Sequence, residues 1–249
     1  MDTQAAKKMP ALEDGEILTP INDGIRLIER KDGLAFSTDA LLLASFVRRR
    51  PDYIAADFGA GTGAISLLCA ARGTFSHIHA VEIQKESAAI AQRNVDLNGL
   101  AGKITVHCAD VRDFAPEKEL DVVFSNPPYM GNGGIESPSQ ARQIARHEVC
   151  GDLSDFCAAA SRTLKFGGLF YCVTSCDRTA DLFCAMRANG LEPKRMRFVC
   201  YDCDHAPSLV LTEAKKGAKA GVIAEKILFL YHNGEMTAEY RKMIGMPTE

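Results

Sequence analysis

The run Tyr53-Ile54-Ala55-Ala56-Asp57-Phe58 passes directly into Gly59-Ala60-Gly61-Thr62-Gly63 and then into the apolar stretch Ala64–Ala71. A short apolar run, three glycines in five residues and a second apolar run of helical length predict a strand, a sharp loop and a helix. Glycines let the backbone turn steeply and come close to a ligand, and the helix that follows opens with unpaired N–H groups. A strand that feeds a helix must find its next strand by a crossover, which makes the pairing parallel. The chain downstream fits that demand. His77–Glu82 reads as a strand, Lys85–Asn98 as its helix, and Ile104–Ala109, Leu120–Ser125 and Gly168–Thr174 as further strands. Asp152–Leu164 is a helix capped by Asp152 and closed near Gly167-Gly168, and Thr179–Asn189 is another. Lys194–Val199, Leu209–Thr212 and Ile227–Tyr231 are strand candidates whose direction the pattern leaves open. The expectation is an α/β fold, a mainly parallel sheet with helices on both faces.

Upstream, residues 1–20 are polar and without periodicity and read as a loose arm. Residues 21–50 read as a hairpin and a helix. Ile25–Arg30 is followed by a Lys31-Asp32-Gly33 turn and Leu34-Ala35-Phe36, then by Asp39–Val47, capped by Ser37 or Thr38. No change of composition marks a second domain, so residues 1–249 are read as one.

Composition narrows function mainly by exclusion. Hydrophobic residues make up 47% and charged residues 24%, enough for one well-buried core. No run approaches the roughly 18 apolar residues of a membrane span, and Met1–Pro10 has no apolar core of a secretory signal. The nine cysteines are then read as reduced thiols in the cytoplasm. The net charge of −3 does not advertise a polyanion binder, although Arg48-Arg49-Arg50, Lys194-Arg195-Met196-Arg197 and Lys215-Lys216-Gly217-Ala218-Lys219 are locally basic. Cys200-x-x-Cys203 with His205 falls short of the four ligands of a structural zinc, so no metal is expected.

The candidate site is read along strand ends. Gly59, Gly61 and Gly63 cradle a ligand beside Asp57; Glu82, with Ile83 after it, ends the second strand 23 residues on from Gly59, where a carboxylate accepts from ribose hydroxyls. That pair suits NAD or S-adenosylmethionine equally, because Gly59-x-Gly61-x-x-Ala64 also fits the dinucleotide fingerprint. Asp110 ends the third strand, placed to accept from an adenine amino group while Val111 N–H addresses a ring nitrogen; it could equally cap the next turn.

Asn126-Pro127-Pro128-Tyr129 follows the strand Leu120–Ser125. Prolines cannot donate to a ladder, so the segment leaves the sheet as a rim. It has the parts needed to grip a flat amino group: the Asn126 side-chain oxygen and the Pro127 carbonyl for the two N–H bonds, and Tyr129 as a stacking face. Arg142, Arg146 and His147 lie in the Gly- and Ser-containing stretch that follows and suit a basic flap over a flipped base; no catalytic role is read for His147.

In this order, Asp57–Gly63, Glu82, Asp110 and Asn126–Tyr129 resemble the motifs of class I S-adenosylmethionine-dependent amino-methyltransferases. Over about residues 15–245 the chain looks most like the bacterial tRNA adenine-N6 methyltransferases that modify the purine beside the anticodon of a valine tRNA. That resemblance is carried also by Phe36–Ala44, Ala145–Val149, Leu191–Arg195 and Asn233–Thr237. It implies a Rossmann-like sheet of seven strands, S-adenosylmethionine as cofactor, Thr38 and Asp39 closing its pocket, and Asn126, Pro127 and Tyr129 in catalysis. It further implies tRNA as partner, with Asn126–Tyr129, Pro128 and Tyr129 among them, holding the target adenine and Asn126 also bordering the cofactor; the basic Arg142, Arg146, Lys194 and Arg195 are read as substrate contacts from their charge. Where the family has an Arg-Pro-Glu-Arg-like stretch this chain has Ser175-Cys176-Asp177-Arg178, keeping the second arginine alone, so the RNA contact that the family's first arginine implies is not expected here. Release-factor glutamine methyltransferases and other RNA or DNA amino-methyltransferases share the core. The former carry a helical domain before the first strand, where this chain has about 50 residues. A dinucleotide oxidoreductase would leave Asn126–Tyr129 without a use, and a non-catalytic RNA-binding module would not need Asp57, Glu82 and Asn126 intact.

Overall fold

The structure, a computed structural model, describes residues 10–22, 24–31, 37–127 and 151–246. It opens with a hairpin, β1 (Glu16–Asn22) and β2 (Ile25–Arg30), followed by helix α1 (Thr38–Phe46). The body is one sheet built from β3 (Ile54–Phe58), β4 (His77–Glu82), β5 (Ile104–Cys108), β6 (Leu120–Ser125), β7 (Leu164–Ser175), β8 (Leu191–Cys200) and β9 (Leu209–Lys216). Their order across it is β5-β4-β3-β6-β7-β9-β8. Only β9 runs against the rest, inserted antiparallel between β7 and β8. Two-residue strands, β10 (Ile223–Ala224) and β11 (Leu228–Phe229), extend the β8 edge in parallel. A last small hairpin pairs β12 (Tyr231–His232) with β13 (Glu235–Met236). Its loop has Asn233 at φ 51° and Gly234 at φ 82°, the positive pair that a two-residue connection demands.

The strands sort their side chains by alternation. Ala55, Ile78, Ala80, Val122, Phe124, Tyr171, Val173, Val199 and Leu211 face one layer, made of α1, α2 (Ala64–Ala71), α3 (Lys85–Leu97) and α6 (Ala238–Ile244). Ala56, Phe58, Val81, Val123, Phe170, Cys172 and Ala214 face the other, made of α4 (Leu153–Thr163), α5 (Thr179–Ala188) and Phe114. With both faces covered, the central strands can be continuously apolar, which is why they were legible as short unbroken hydrophobic runs.

The expected mainly parallel seven-stranded sheet with helices on both faces is the fold found, and four expectations are corrected. Residues 16–20 are no loose arm: Glu16–Asn22 is the partner of β2, held by a Glu16–Arg93 ion pair at 2.6 Å. The hairpin therefore lies upstream of the one expected, and Asp32–Phe36 fall outside the described residues. Ser37 takes the N-cap position of α1, but its side chain makes no cap bond. β7 begins at Leu164, straight from α4, because Gly167 turns at φ 79° into a register shift against β6 instead of ending the segment. Ile227–Tyr231 is no single strand; it splits into β11 and β12 as the chain leaves β8. The Asp152 cap is found, as one half of a capping box with Asp155.

Candidate active site

Four strand ends meet along the carboxyl edge of the sheet. Phe58 of β3 stands in register with Val81 of β4 on one side and Ser125 of β6 on the other, and Glu82 pairs with Cys108 of β5. Ser125 Oγ donates to Phe58 O at 2.7 Å and locks the two central ends together. The glycine loop folds over this edge, with Gly59 N and Ala60 N donating to Val81 O at 2.9 and 3.0 Å. Gly59, Gly61 and Gly63 all have positive φ (73°, 56° and 86°). A Cβ at Gly59 would also crowd the Phe156 ring at 3.3 Å, so that position is fixed both by conformation and by packing.

Asp57 ends in the interior. Its Oδ2 accepts from Ser66 Oγ at 2.8 Å and Ser66 N at 3.2 Å, in the first turn of α2, while Oδ1 is buried without a partner. Burial is the main cause that raises its carboxyl to about 7, against the pull of the Ser66 bonds. Glu82 is also buried, and its two oxygens accept from Gly61 N and Gln84 N, both at 2.8 Å. It thereby ties the loop to the end of β4. A carboxylate at this strand end is the kind of acceptor that a ribose hydroxyl needs. Ile83 follows, half buried.

Asp110, after β5, accepts from Arg112 N at 2.8 Å and from the Arg112 guanidinium at 2.5–3.0 Å. Those hydrogen bonds hold its carboxyl below the usual range. The turn-capping arrangement is thus present, and the carboxylate still lies on the strand end expected of it. Val111 beside it is buried. Arg162 of α4 steadies this turn from behind, donating to Val111 O, Arg112 O and Phe114 O at 2.9–3.0 Å. Asn126 is half buried at the end of β6, and Pro127 is buried.

The structure therefore brings Asp57, Gly59, Gly61, Gly63, Glu82, Ile83, Asp110, Val111, Asn126 and Pro127 to one edge. Thr38 and Asp39 stand half buried in the first turn of α1, which packs on α2, and Thr38 shares a hydrogen bond with Tyr240. Pro128, Tyr129, Arg142, Arg146 and His147 lie outside the described residues.

Lys194 and Arg195 are not brought here. β8 reaches this edge at Cys200, and they stand six and five residues back along it, about 20 and 16 Å at the rise of a strand. Lys194 Nζ donates to Lys219 O at 3.0 Å, and the Arg195 guanidinium is buried against Glu213, Glu225 and Phe46 O.

Ser66, Arg112, Arg162 and Asn94 were missed in the sequence: Arg162 and Asn94 act on partners far along the chain, while Ser66 and Arg112 lie near theirs but carry no pattern that marks them. Asn94, fully buried on α3, donates to Thr62 O inside the glycine loop at 3.0 Å and carries no periodic signal. Among the described residues no group of three His, Cys, Asp or Glu is placed to hold a metal, and no helix is long and apolar enough to cross a membrane.

Comparison with known proteins agrees with this geometry. A family model described as methyltransferase small domain matches residues 33–181. A tRNA1(Val) (adenine(37)-N6)-methyltransferase of Dyadobacter fermentans is 29% identical over 205 residues, covering 82% of this chain and 85% of that one. One of Phocaeicola vulgatus is 31% identical over 182 residues, covering 72% and 75%. Among solved structures, a predicted O-methyltransferase from Agrobacterium tumefaciens superposes with a TM-score of 0.67 at 22% identity, covering 85% of this chain and 99% of that one. The tRNA m1G37 methyltransferase of M. jannaschii gives 0.55 at 19%, covering 84% and 59%. Likenesses at this identity show a shared class of fold, and the sequence matches carry the rest. The chain belongs to the methyltransferase small domain family and, within it, to the family of the tRNA1(Val) (adenine(37)-N6)-methyltransferases.

Proposed function

We propose that this protein transfers a methyl group from S-adenosylmethionine to the exocyclic N6 of an adenine in tRNA, beside the anticodon of a valine tRNA, in the cytoplasm. The observation that carries this reading is the register of β3 with β6. Ser125 bonded to Phe58 sets Asn126 next to the glycine loop, so an amine held by one lies against a ligand held by the other. The activity in the names of the curated relatives supports the same chemistry.

The residues fit such a cofactor. The loop around Gly61 leaves backbone free of side chains, Glu82 presents a carboxylate toward the ribose position, and Asp110 with Val111 offers adenine an acceptor and a donor. When bound, the cofactor supplies an electrophilic methyl on a sulfonium. The chain's own task is to make a poor nucleophile attack it. The lone pair of an adenine amino group is delocalised into the ring. Acceptors on both N–H bonds, Asn126 Oδ1 and Pro127 O, draw the nitrogen toward tetrahedral geometry and stabilise the positive charge that builds on it. Tyr129 supplies a stacking face that holds the base in line. Positioning then contributes most of the remaining acceleration, and the acidic product nitrogen loses its proton without a strong base.

Purified protein, given labelled S-adenosylmethionine and unmodified tRNA, should yield labelled N6-methyladenosine on nucleoside analysis. Label on cytosine, on guanine or on a protein amide would overturn the substrate. Asn126→Ala should lower kcat by about 10²–10³ with cofactor affinity within twofold, since it removes a contact made mainly in the transition state. Matching losses in kcat and cofactor affinity would make Asn126 structural.

A further inference from the structure

The groups read as cofactor ligands use one half of the sheet's carboxyl edge, from β6 outward over β3, β4 and β5. The other half is formed by the ends of β7 and β8 and the start of β9, and there the chain sets out aromatic rings. Tyr201 follows the last residue of β8. Its ring lies against Tyr231 with centroids 4.6 Å apart and planes 26° from parallel. Tyr231 meets Tyr240 edge-on at 6.1 Å, and Tyr240 reaches Thr38 at the start of α1. His205 stands edge-on to Tyr201 at 5.2 Å. Backbone bonds from Leu230 N to Cys200 O (3.0 Å) and from Tyr231 N to Tyr201 O (2.7 Å) join the two segments that carry the stacked pair.

Exposure grades outward along this row. Tyr240 is buried and Tyr231 half buried, while Tyr201 is 48% exposed. The outermost ring is thus braced from below and from one side, with area left in water that the core does not use. The local charge limits what it can receive. Asp202 and Asp204 flank it, and Asp202 accepts from His205 Nδ1 at 2.5 Å, which raises the imidazole above its ordinary range. Such a patch has no surplus of cations for phosphates; it offers a flat uncharged face.

We propose that Tyr201, braced by Tyr231, is the platform on which an unpaired base of the RNA substrate stacks while the target adenine sits at Asn126. The proposal rests on the tRNA reading above. Sequence-specific RNA recognition takes splayed loop bases onto aromatic side chains, and a stacking face tolerates any base. The end of β8 is three strand spacings from that of β6, about 14 Å, which is within the span of a few nucleotides. Tyr201 is therefore a second point of attachment that helps to register the loop on the enzyme.

Steady-state methylation of unmodified tRNA tests it. Tyr201→Ala and Tyr201→Leu should each raise the KM for tRNA about tenfold, with kcat and the Kd for S-adenosylmethionine within twofold. Tyr201→Phe keeps the ring and should match the wild type. The slope of log kcat/KM against log salt should be the same in all four proteins, because no phosphate contact is lost. An unchanged KM in the Ala and Leu variants would overturn the platform. So would a Phe variant as poor as Ala, which would mean a hydroxyl contact, or a shallower salt slope, which would mean a phosphate contact. Wild-type protein that transfers no label to tRNA would instead remove the tRNA reading itself, and the platform with it.

Discussion

At the root of the glycine loop, Asp57 is held where a charge is poorly solvated. Its Oδ2 has both Ser66 donors, its Oδ1 has none, and burial lifts the carboxyl from 3.8 to about 7. Between about pH 4 and pH 7 the unfolded chain has released this proton and the folded chain keeps it. Stability from this group therefore falls as pH rises through the window and levels off above it. Asp57→Asn keeps the shape without the ionisation. In cofactor-free protein, the Tm of the variant should gain on that of the wild type from pH 4 to 7 and then run parallel to it. Parallel curves throughout would mean that Asp57 is ionised in the fold at low pH. The three glycines were readable in the sequence because a backbone at positive φ before a helix allows few residue types, and Asp57 because it is a carboxylate in an otherwise apolar strand directly before them. What Asp57 faces was not readable, for Ser66 resembles any other serine in an apolar helix.

Secondary elements were legible where burial makes a strand largely apolar, as in β3 and β6, and poorly legible where pairing depends on side chains from elsewhere. The N-terminal hairpin is the instructive case. α3 meets β2 with two carboxamides: Asn94 accepts from Ile28 N at 2.6 Å and donates to Ile28 O at 3.0 Å, while Asn98 accepts from Arg26 N at 3.0 Å and donates to Arg26 O at 2.7 Å. Four residues of helix rise about 6.0 Å and two residues of strand about 6.6 Å, so the spacings match and the asparagines complete the strand edge as a neighbouring strand would. Asn94 also reaches Thr62 O, joining hairpin to glycine loop. Asn94→Ala leaves Ile28 N and O buried and unpaired and should cost about 2–4 kcal/mol, while the more exposed Asn98→Ala should cost about 1. Urea denaturation of both variants measures this. Losses below about 0.5 kcal/mol in both would remove the side-chain ladder as the anchor of the hairpin.

On the scale of the whole molecule, the basic run Lys194–Arg197 shows how far a local pattern can mislead. On a linear chain it looks like a surface for polyanions, but alternation in β8 turns Arg195 inward. Its Nε and Nη2 reach Glu213 Oε2 at 2.9 and 2.8 Å, Nη1 reaches Glu225 at 3.1 Å, and Nη2 also donates to Phe46 O at 2.8 Å, with the guanidinium 3.6 Å from the centre of the Phe46 ring. One side chain thus joins β8, β9, the segment after β10 and a carbonyl in the last turn of α1, which needs a donor there. It connects the first fifth of the chain to the last strands of the sheet, a link that no reading of neighbours in sequence could supply. Removing it leaves the buried Glu213 carboxylate without its guanidinium fork, the half-exposed Arg48 standing 3.5 Å away, so Arg195→Ala should cost about 3–5 kcal/mol in urea denaturation. Arg195→Lys should recover little of that, because an ammonium cannot form the fork to Glu213 or lie flat on Phe46. The folded fraction of either variant should methylate tRNA with wild-type KM. A variant of normal stability whose KM for tRNA has risen would return Arg195 to the substrate surface and leave the union of α1 with the far strands to other contacts.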